Sequence, residues 1–293
     1  MKIASVIRAA MLRIDEEPFA AEGVVIVMLR IGTSGYSYDD WKGFFYPEQI
    51  KNSEMLAFYA RTFSTVEINY TYYRPPTART LGAMAAKTPD DFVFTIKATR
   101  EMTHEREDNA QVFADFTAAL APLTESGKLG CVLAQFPSSF RQSEAERAYL
   151  ATFRERMGDL PLVFEFRHRS WLDEPMLAYL RALDVGFCCV DEPHFEALMP
   201  PVAVATNRIG YVRFHGRNYA KWWQHEHAWE RYSYRYSDDE LREWVPRVQS
   251  LQERCDVVYL FANNHYQGQS VETAHQLERL MAEAGGQERA VGS

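Results

Sequence analysis

Eight short apolar runs recur along the chain, most of them followed by a stretch with the 3.6-residue period of an amphipathic helix. That alternation limits the fold more than any other feature of the sequence. The runs are Met28 to Gly32, Thr65 to Asn69, Phe92 to Lys97, Cys131 to Gln135, Leu162 to Arg167, Gly186 to Asp191, Tyr211 to His215 and Val257 to Asn263. Helical period falls over residues 53–63, 78–87, 110–123, 143–157, 174–183, 238–252 and 271–282. Strands separated by helices pair in parallel, because a parallel neighbour needs a crossover that an extended chain alone does not provide. A set of eight favours closure into a single-domain α/β barrel of the TIM (β/α)8 type over an open sheet. No GxGxxG fingerprint follows the first run, which counts against a dinucleotide-binding sheet.

The boundaries agree with this map. Ser143 and Ser237 each precede an acidic first turn, the pattern of an N-cap whose neighbours complement the helix dipole. The barrel is expected over 28–284. Residues 1–27 fit none of the repeating pattern and read as a loosely attached extension; Asp15, Glu16 and Glu17 interrupt their apolar residues, so they form neither a secretory signal nor a membrane span. Residues 285–293 read as a disordered tail. A net charge of -8 repels a phosphate backbone, so nucleic acid is not the expected partner. Cys131, Cys188, Cys189 and Cys255 lack CxxC spacing and sit largely in apolar runs, which fits buried thiols in a cytoplasmic protein.

Candidate functional residues stand where the runs end. In a barrel these ends and the loops after them share one mouth. The ends supply Glu67 and Asn69, Lys97, Gln135, Glu165 and Arg167, Asp191, Arg213 and His215, and Asn263 with Asn264. Within a strand, residues two apart share a face, so Glu165 and Arg167 project together while Phe164 and Phe166 face the other way. Any one such residue could be a scaffold ion pair; the whole ring favours a functional mouth, because so many charges are tolerated only where they pair, bind a ligand or stay hydrated.

Ordered along the chain are GTSGYSYDDWKGFFYP (32–47), EINYTYYRPP (67–76), FTIKATREMTH (94–104), KLGCVLAQFPSSF (128–140), FEFRHRSW (164–171), YVRFHGR (211–217) and FANN (261–264). This series resembles the YecE-like family, domain of unknown function 72, over about residues 28–282. Tyr36 stands where a tryptophan is usual and Tyr72 where phenylalanine is common. The resemblance implies a TIM barrel and brings no reaction with it.

The chemistry must therefore come from the residues. In a metal-independent site, Glu67 and Glu165 would give and take protons, Lys97, Arg167 and Arg213 would hold an anionic group, and His104 or His215 would move a proton. Asn69, Gln135, Asn263 and Asn264 would complete substrate binding, with Asp191 beside the acid/base groups. In a metal-dependent alternative, Glu165, Asp191 and His215 end the fifth, sixth and seventh runs, an order similar to the ligands of xylose-isomerase-like barrels. Those barrels add a carboxylate on the eighth strand, where this chain has Asn263 or Asn264. An amide oxygen binds Mg²⁺ or Mn²⁺, but Arg167 and Arg213 oppose a cation. Schiff-base chemistry at Lys97 would need a desolvated amine, which nothing in the sequence shows.

The segment after the seventh run carries Tyr219, Trp222, Trp223, Trp229, Tyr232, Tyr234 and Tyr236, interleaved with Arg217, Lys221, Arg231 and Arg235. It reads as a cap packed on the barrel rim, or as a lid that stacks on sugars or unpaired bases. His225 and His227 lack a third ligand nearby. Tyr36 to Tyr46 are dense in aromatics, which means packing first; the backbone at Ser34 and Gly35 could donate to an anion. The expectation is an enzyme, a hydrolase, lyase or isomerase, acting on a small anionic or carbohydrate-like substrate. A non-catalytic module that holds a metabolite or single-stranded nucleic acid is the alternative.

Overall fold

In the computed structural model, residues 27–291 are described. The extension expected over 1–27 lies, apart from Val27, outside them. Eight parallel strands are arranged in the order β1-β8-β7-β6-β5-β4-β3-β2: β1 (Met28–Thr33), β2 (Thr65–Ile68), β3 (Val93–Lys97), β4 (Leu129–Gln135), β5 (Leu162–Glu165), β6 (Gly186–Asp191), β7 (Ile209–Phe214) and β8 (Val257–Ala262). Every run recognised in the sequence is a strand.

The cylinder closes between β1 and β2 through a narrow seam. A parallel bridge joins Ser34 to Glu67, and the Gly35 N–H donates to the Glu67 carbonyl at 2.7 Å. Gly32 makes the approach feasible, since a Cβ there would stand 2.4 Å from the Thr65 carbonyl oxygen. The Ser34 N–H is spent on the Ala262 carbonyl, so these two amides close the barrel and are not free for an anion.

Helices cover the outside: α1 (Asn52–Tyr59), α2 (Ala78–Ala85), α3 (Ala110–Ala119), α4 (Ala121–Glu125), α5 (Glu144–Met157), α6 (Glu174–Ala182), α7 (Asp238–Arg242), α8 (Val245–Gln252) and α9 (Gln269–Val291). Two segments expected as single helices, 110–123 and 238–252, are each divided. Pro122 and Pro246 sit in the first turn of the second piece, where a missing N–H costs nothing, and they end the helix before it. Both expected N-caps form: Ser143 accepts from the Glu146 N–H and Ser237 from the Glu240 N–H. The disordered tail expected from Gly285 is instead the last part of α9 as far as Val291. Glycine at 285 and 286 weakens a helix by about 1 kcal/mol each, but the QERA sequence that follows consists of good helix formers.

Inside the barrel, the Tyr211 hydroxyl on β7 lies 3.0 Å from Thr95 Oγ1 on β3, and Tyr211 packs against Tyr259 and Phe261. Outside, Phe166 stacks on Trp171 at 4.6 Å, and the Trp171 indole N–H donates to the Phe140 carbonyl at 2.6 Å. That outward anchor fixes the chain just past β5 and thereby aims the neighbouring Arg167 inward. All four cysteines are buried free thiols. Among the described residues, no helix is long and apolar enough to cross a membrane.

Candidate active site

Arg213 is the hub of the mouth. It lies two residues beyond Tyr211 on β7, so the pleat turns it inward, one layer nearer the C-terminal end. Its Nη2 donates to Glu67 Oε1 at 2.7 Å and its Nη1 to Glu165 Oε2 at 2.6 Å, with all three side chains buried. Tyr211 donates to the other Glu67 oxygen at 2.7 Å. The expected convergence is therefore present, but its chemistry differs from the expectation. Both carboxylates are shut away from solvent and already paired. Burial pushes the Glu165 carboxyl up, yet Arg213, Arg167 and His215 outweigh it and hold that group well below the usual range. A carboxylate held that firmly ionised is a poor proton donor at neutral pH.

His215 completes the buried layer. Asn263 accepts from Arg213 Nη2 at 3.3 Å, which orients its amide so that Nδ2 faces His215 Nδ1 at 2.9 Å. With Nδ1 accepting, the ring proton sits on Nε2 and donates to Glu165 Oε1 at 3.2 Å. Burial, then Arg167, keep His215 neutral, with its pKa well below the ordinary value. It is a fixed dipole that orients Glu165.

Above this layer, Arg167 joins Glu165 (2.9 Å) to Glu192 (2.9 Å). Burial raises the Glu192 carboxyl to about 7 despite Arg167 and a hydrogen bond from the Met199 N–H. Two acids thus share one guanidinium and are pushed in opposite directions. Glu192 was not singled out in the sequence; Asp191, its neighbour, was. One residue decides which of them faces the site. Asp191 instead points outward, where it accepts from both Nε and Nη2 of Arg217, from the Tyr236 hydroxyl at 2.6 Å and from the Trp244 indole at 2.7 Å. The structure places it as the anchor of the aromatic loop, away from the ring. Asn264 is likewise turned outward, donating to the Tyr234 carbonyl and Thr273 Oγ1. Asn69 is half-buried two residues past Glu67, and its Oδ1 has no partner among the described residues.

A cleft of about 320 Å³ opens over the ring. Lys97 at the end of β3 faces it, with Nζ donating to Gln135 Oε1 at 3.0 Å and lying 4.8 Å from the centre of the Tyr72 ring. Burial, followed by the Arg213 charge, lowers the Lys97 amine to about 8, and Arg167 adds to this while Glu165 and Glu67 oppose it. His104, in a single π-helical turn over Glu101–Glu105, meets the edge of Tyr72 and accepts or donates at Thr103 Oγ1 (2.9 Å). Burial and then Lys97 drop its pKa to about 4, so it is a neutral imidazole at pH 7. Arg167 and Arg231 add positive charge to the walls, and Tyr72, Tyr73, Trp222, Trp223 and Tyr232 supply aromatic surface. Larger hollows of about 600 and 560 Å³ lie at the opposite, N-terminal end beside Ile209 and Leu29. The polar ring does not reach them, and in barrels that end serves stability.

The aromatic loop acts as both cap and wall. Trp222 and Tyr236 are buried, whereas Trp223 is 52% exposed at the rim. Gly216 opens it with φ of +88°, where a Cβ would strike the Tyr234 side chain at 2.7 Å. The first aromatic loop is packing, as expected: Trp41 and Tyr46 are buried and stacked.

The metal alternative does not fit this donor set. Glu165 and His215 are neighbours, but Asp191 is directed away and saturated by donors, and both Glu165 oxygens are already taken by the guanidinium groups of Arg167 and Arg213. Elsewhere among the described residues, Glu226, His227 and Glu230 cluster in the loop. Glu230 there is already paired with Lys221 at 2.8 Å.

The fold and mouth define a TIM-barrel protein with an ion-paired, arginine-centred layer beneath a basic aromatic cleft. The model of the family described as "Protein of unknown function DUF72" matches residues 30–291, and the chain belongs to that family. The UPF0759 protein YunF of Bacillus subtilis is 33% identical over 270 residues, 87% of this chain and 95% of its own. The structure of a DUF72 family protein from Thermotoga maritima superposes with a TM-score of 0.81 at 39% identity, covering 87% of this chain and 99% of that one. One from Enterococcus faecalis gives 0.78 at 26% identity, over 87% and 96%.

Proposed function

We propose that this protein is an enzyme acting on a small anionic substrate bound in the C-terminal cleft, with the Lys97 amine as the group that exchanges a proton with it. One observation carries this reading. Lys97, Arg167 and Arg231 all reach the cleft, and among the described residues no carboxylate lines it. The acids below are consumed by Arg213 and Arg167. Arg167 is balanced by Glu165 and Glu192, but an anion entering the cleft meets Lys97 and Arg231, which no carboxylate pairs among the described residues, in a partly dehydrated space where the attraction is stronger than in water. The volume suits a metabolite-sized ligand, and the rings of Tyr72, Trp222 and Trp223 favour one with a flat or apolar part.

Proton transfer falls to Lys97 because its pKa of about 8 stands near neutrality, where a general base is most effective. Glu67 and Glu165, expected as the acid and base, serve in this reading to hold Arg213, and His215 to orient Glu165. His104, neutral beside Tyr72, is placed to hydrogen-bond the substrate. The carbohydrate-like alternative has less support, since a neutral sugar would leave the cationic walls unsatisfied.

A thermal-shift screen of anionic and neutral metabolites tests the reading, because a ligand bound by the folded state raises the melting temperature. Phosphorylated or carboxylated compounds should stabilise the wild type and lose that effect in a Lys97→Met/Arg231→Gln double variant. Stabilisation by neutral sugars alone, or by anions equally in the double variant, would overturn it.

A further inference from the structure

The lone pair that a neutral Lys97 offers for a proton is equally available to carbon. We infer that Lys97 is a covalent nucleophile, forming a protonated Schiff base with the carbonyl carbon of an anionic aldehyde or ketone substrate. The inference rests on the anionic reading of the cleft and names the reactive group its substrate must carry.

Three features of the geometry support it. First, Nζ reaches the cleft from the end of a barrel strand, so its backbone is fixed by the sheet and the side chain has little freedom to withdraw. Second, it is held by neutral groups: the Gln135 amide oxygen at 3.0 Å and the face of Tyr72 at 4.8 Å. Among the described residues no carboxylate lies within ion-pairing distance of it. A structural lysine in a buried layer would be expected to hold one of the acids, yet here the arginines take them all. Third, the charged groups around it favour loss of its proton. Arg213 lies below and Arg167 beside it. Glu67 and Glu165 act against them at longer range, blunted by their own arginine partners. His104, which packs against Tyr72 and lines the same cleft, is neutral. Burial and these charges bring the amine to about 8, so about one molecule in ten carries a free lone pair at pH 7.

The step balances without an oxidant or a cofactor. Neutral Nζ attacks the carbonyl carbon; a C–N bond forms as the carbonyl π bond breaks, the nitrogen gives up one proton and the oxygen takes one, leaving a neutral carbinolamine. The nitrogen lone pair then expels that oxygen, after a second protonation, as water. The net change is ammonium plus carbonyl to iminium plus water. His104 and solvent are the groups at hand to move the protons, and Arg167 and Arg231 hold the substrate anion. The iminium retains the positive charge that Lys97 carried, so the cleft's charge balance is conserved.

Pyridoxal 5′-phosphate is a suitable probe, since it joins an aldehyde, a phosphate and a flat ring. The full chain is incubated with the probe and reduced with borohydride, and the adduct is mapped by peptide mass spectrometry; inorganic phosphate binding is followed by thermal shift in parallel. The expected result is a reduced adduct concentrated on Lys97, formed about fivefold faster at pH 8 than at pH 7. Competing phosphate should suppress it. Lys97→Arg should abolish it while phosphate still stabilises the variant, because the charge remains and only the nucleophile is lost. An adduct spread over surface lysines with no enrichment at Lys97, while phosphate still binds, would overturn the covalent inference and leave the anionic reading standing. Absence of phosphate stabilisation in both proteins would remove the anionic reading and this inference with it.

Discussion

Replacing Arg213 with methionine tests the buried layer directly. The guanidinium bridges Glu67 at 2.7 Å and Glu165 at 2.6 Å, and both carboxylates are fully buried. Methionine fills a similar volume but offers no donor. Glu67 would keep its hydrogen bond from Tyr211, and Glu165 its contacts with His215 and Arg167. Removing one partner of a buried ion pair costs about 3–5 kcal/mol, and here one residue serves two acids, which places the loss at the upper end, about 5 kcal/mol. For a chain of this size each kcal/mol moves the melting temperature by about 2–4 °C, so Arg213→Met should melt about 10–20 °C lower at pH 7. The assay is thermal unfolding followed by circular dichroism at one fixed scan rate. A Glu67→Gln/Arg213→Met double variant should lose less than the two single losses added together, because the second substitution removes a charge the first has stranded. A fall of under about 2 °C for Arg213→Met would refute the argument. It would mean that water or Lys97 re-pairs the acids at little cost.

Lys97→Met should be more stable than the wild type at pH 7, by at most about 3 kcal/mol. The folded-state pKa of about 8 lies below the ordinary lysine value of 10.5, so the cost of burying the ammonium is complete below pH 8 and disappears as pH rises toward 10.5. Urea unfolding at pH 7 and at pH 10 should show the gap closing; a constant gap would count against a depressed amine. Asp191→Asn should cost about 2–4 kcal/mol and speed proteolysis within residues 216–236, since Arg217, Tyr236 and Trp244 all donate to that carboxylate. Unchanged cleavage would show the loop to be anchored elsewhere. Trp223→Ala, half exposed at the rim, should leave stability within about 0.5 kcal/mol but weaken binding of a ring-bearing anion by about 1 kcal/mol, roughly fivefold, measured by calorimetry. Equal affinity would remove Trp223 from the site.

Strand number, helix positions and the mouth were legible in the sequence because their signals are local. Alternation of period two placed Glu165 and Arg167 together on one face, where they pair, and a serine before an acidic turn marked where α5 and α7 begin. Side-chain direction at strand ends was not legible. Asp191 and Glu192, and Asn263 and Asn264, are adjacent pairs in which only the closing geometry decides which member turns inward. Nor could the sequence show which charges would be cancelled. Arg213 meets Glu67 across 146 positions and Glu165 across 48, so both candidate acids are already paired in the folded barrel. Those pairings leave Lys97 beside two guanidinium groups with only neutral partners of its own. Local pattern fixes what repeats along the chain; the protonation of a buried group depends on every charge the folded barrel brings near it, and only the tertiary structure assembles those.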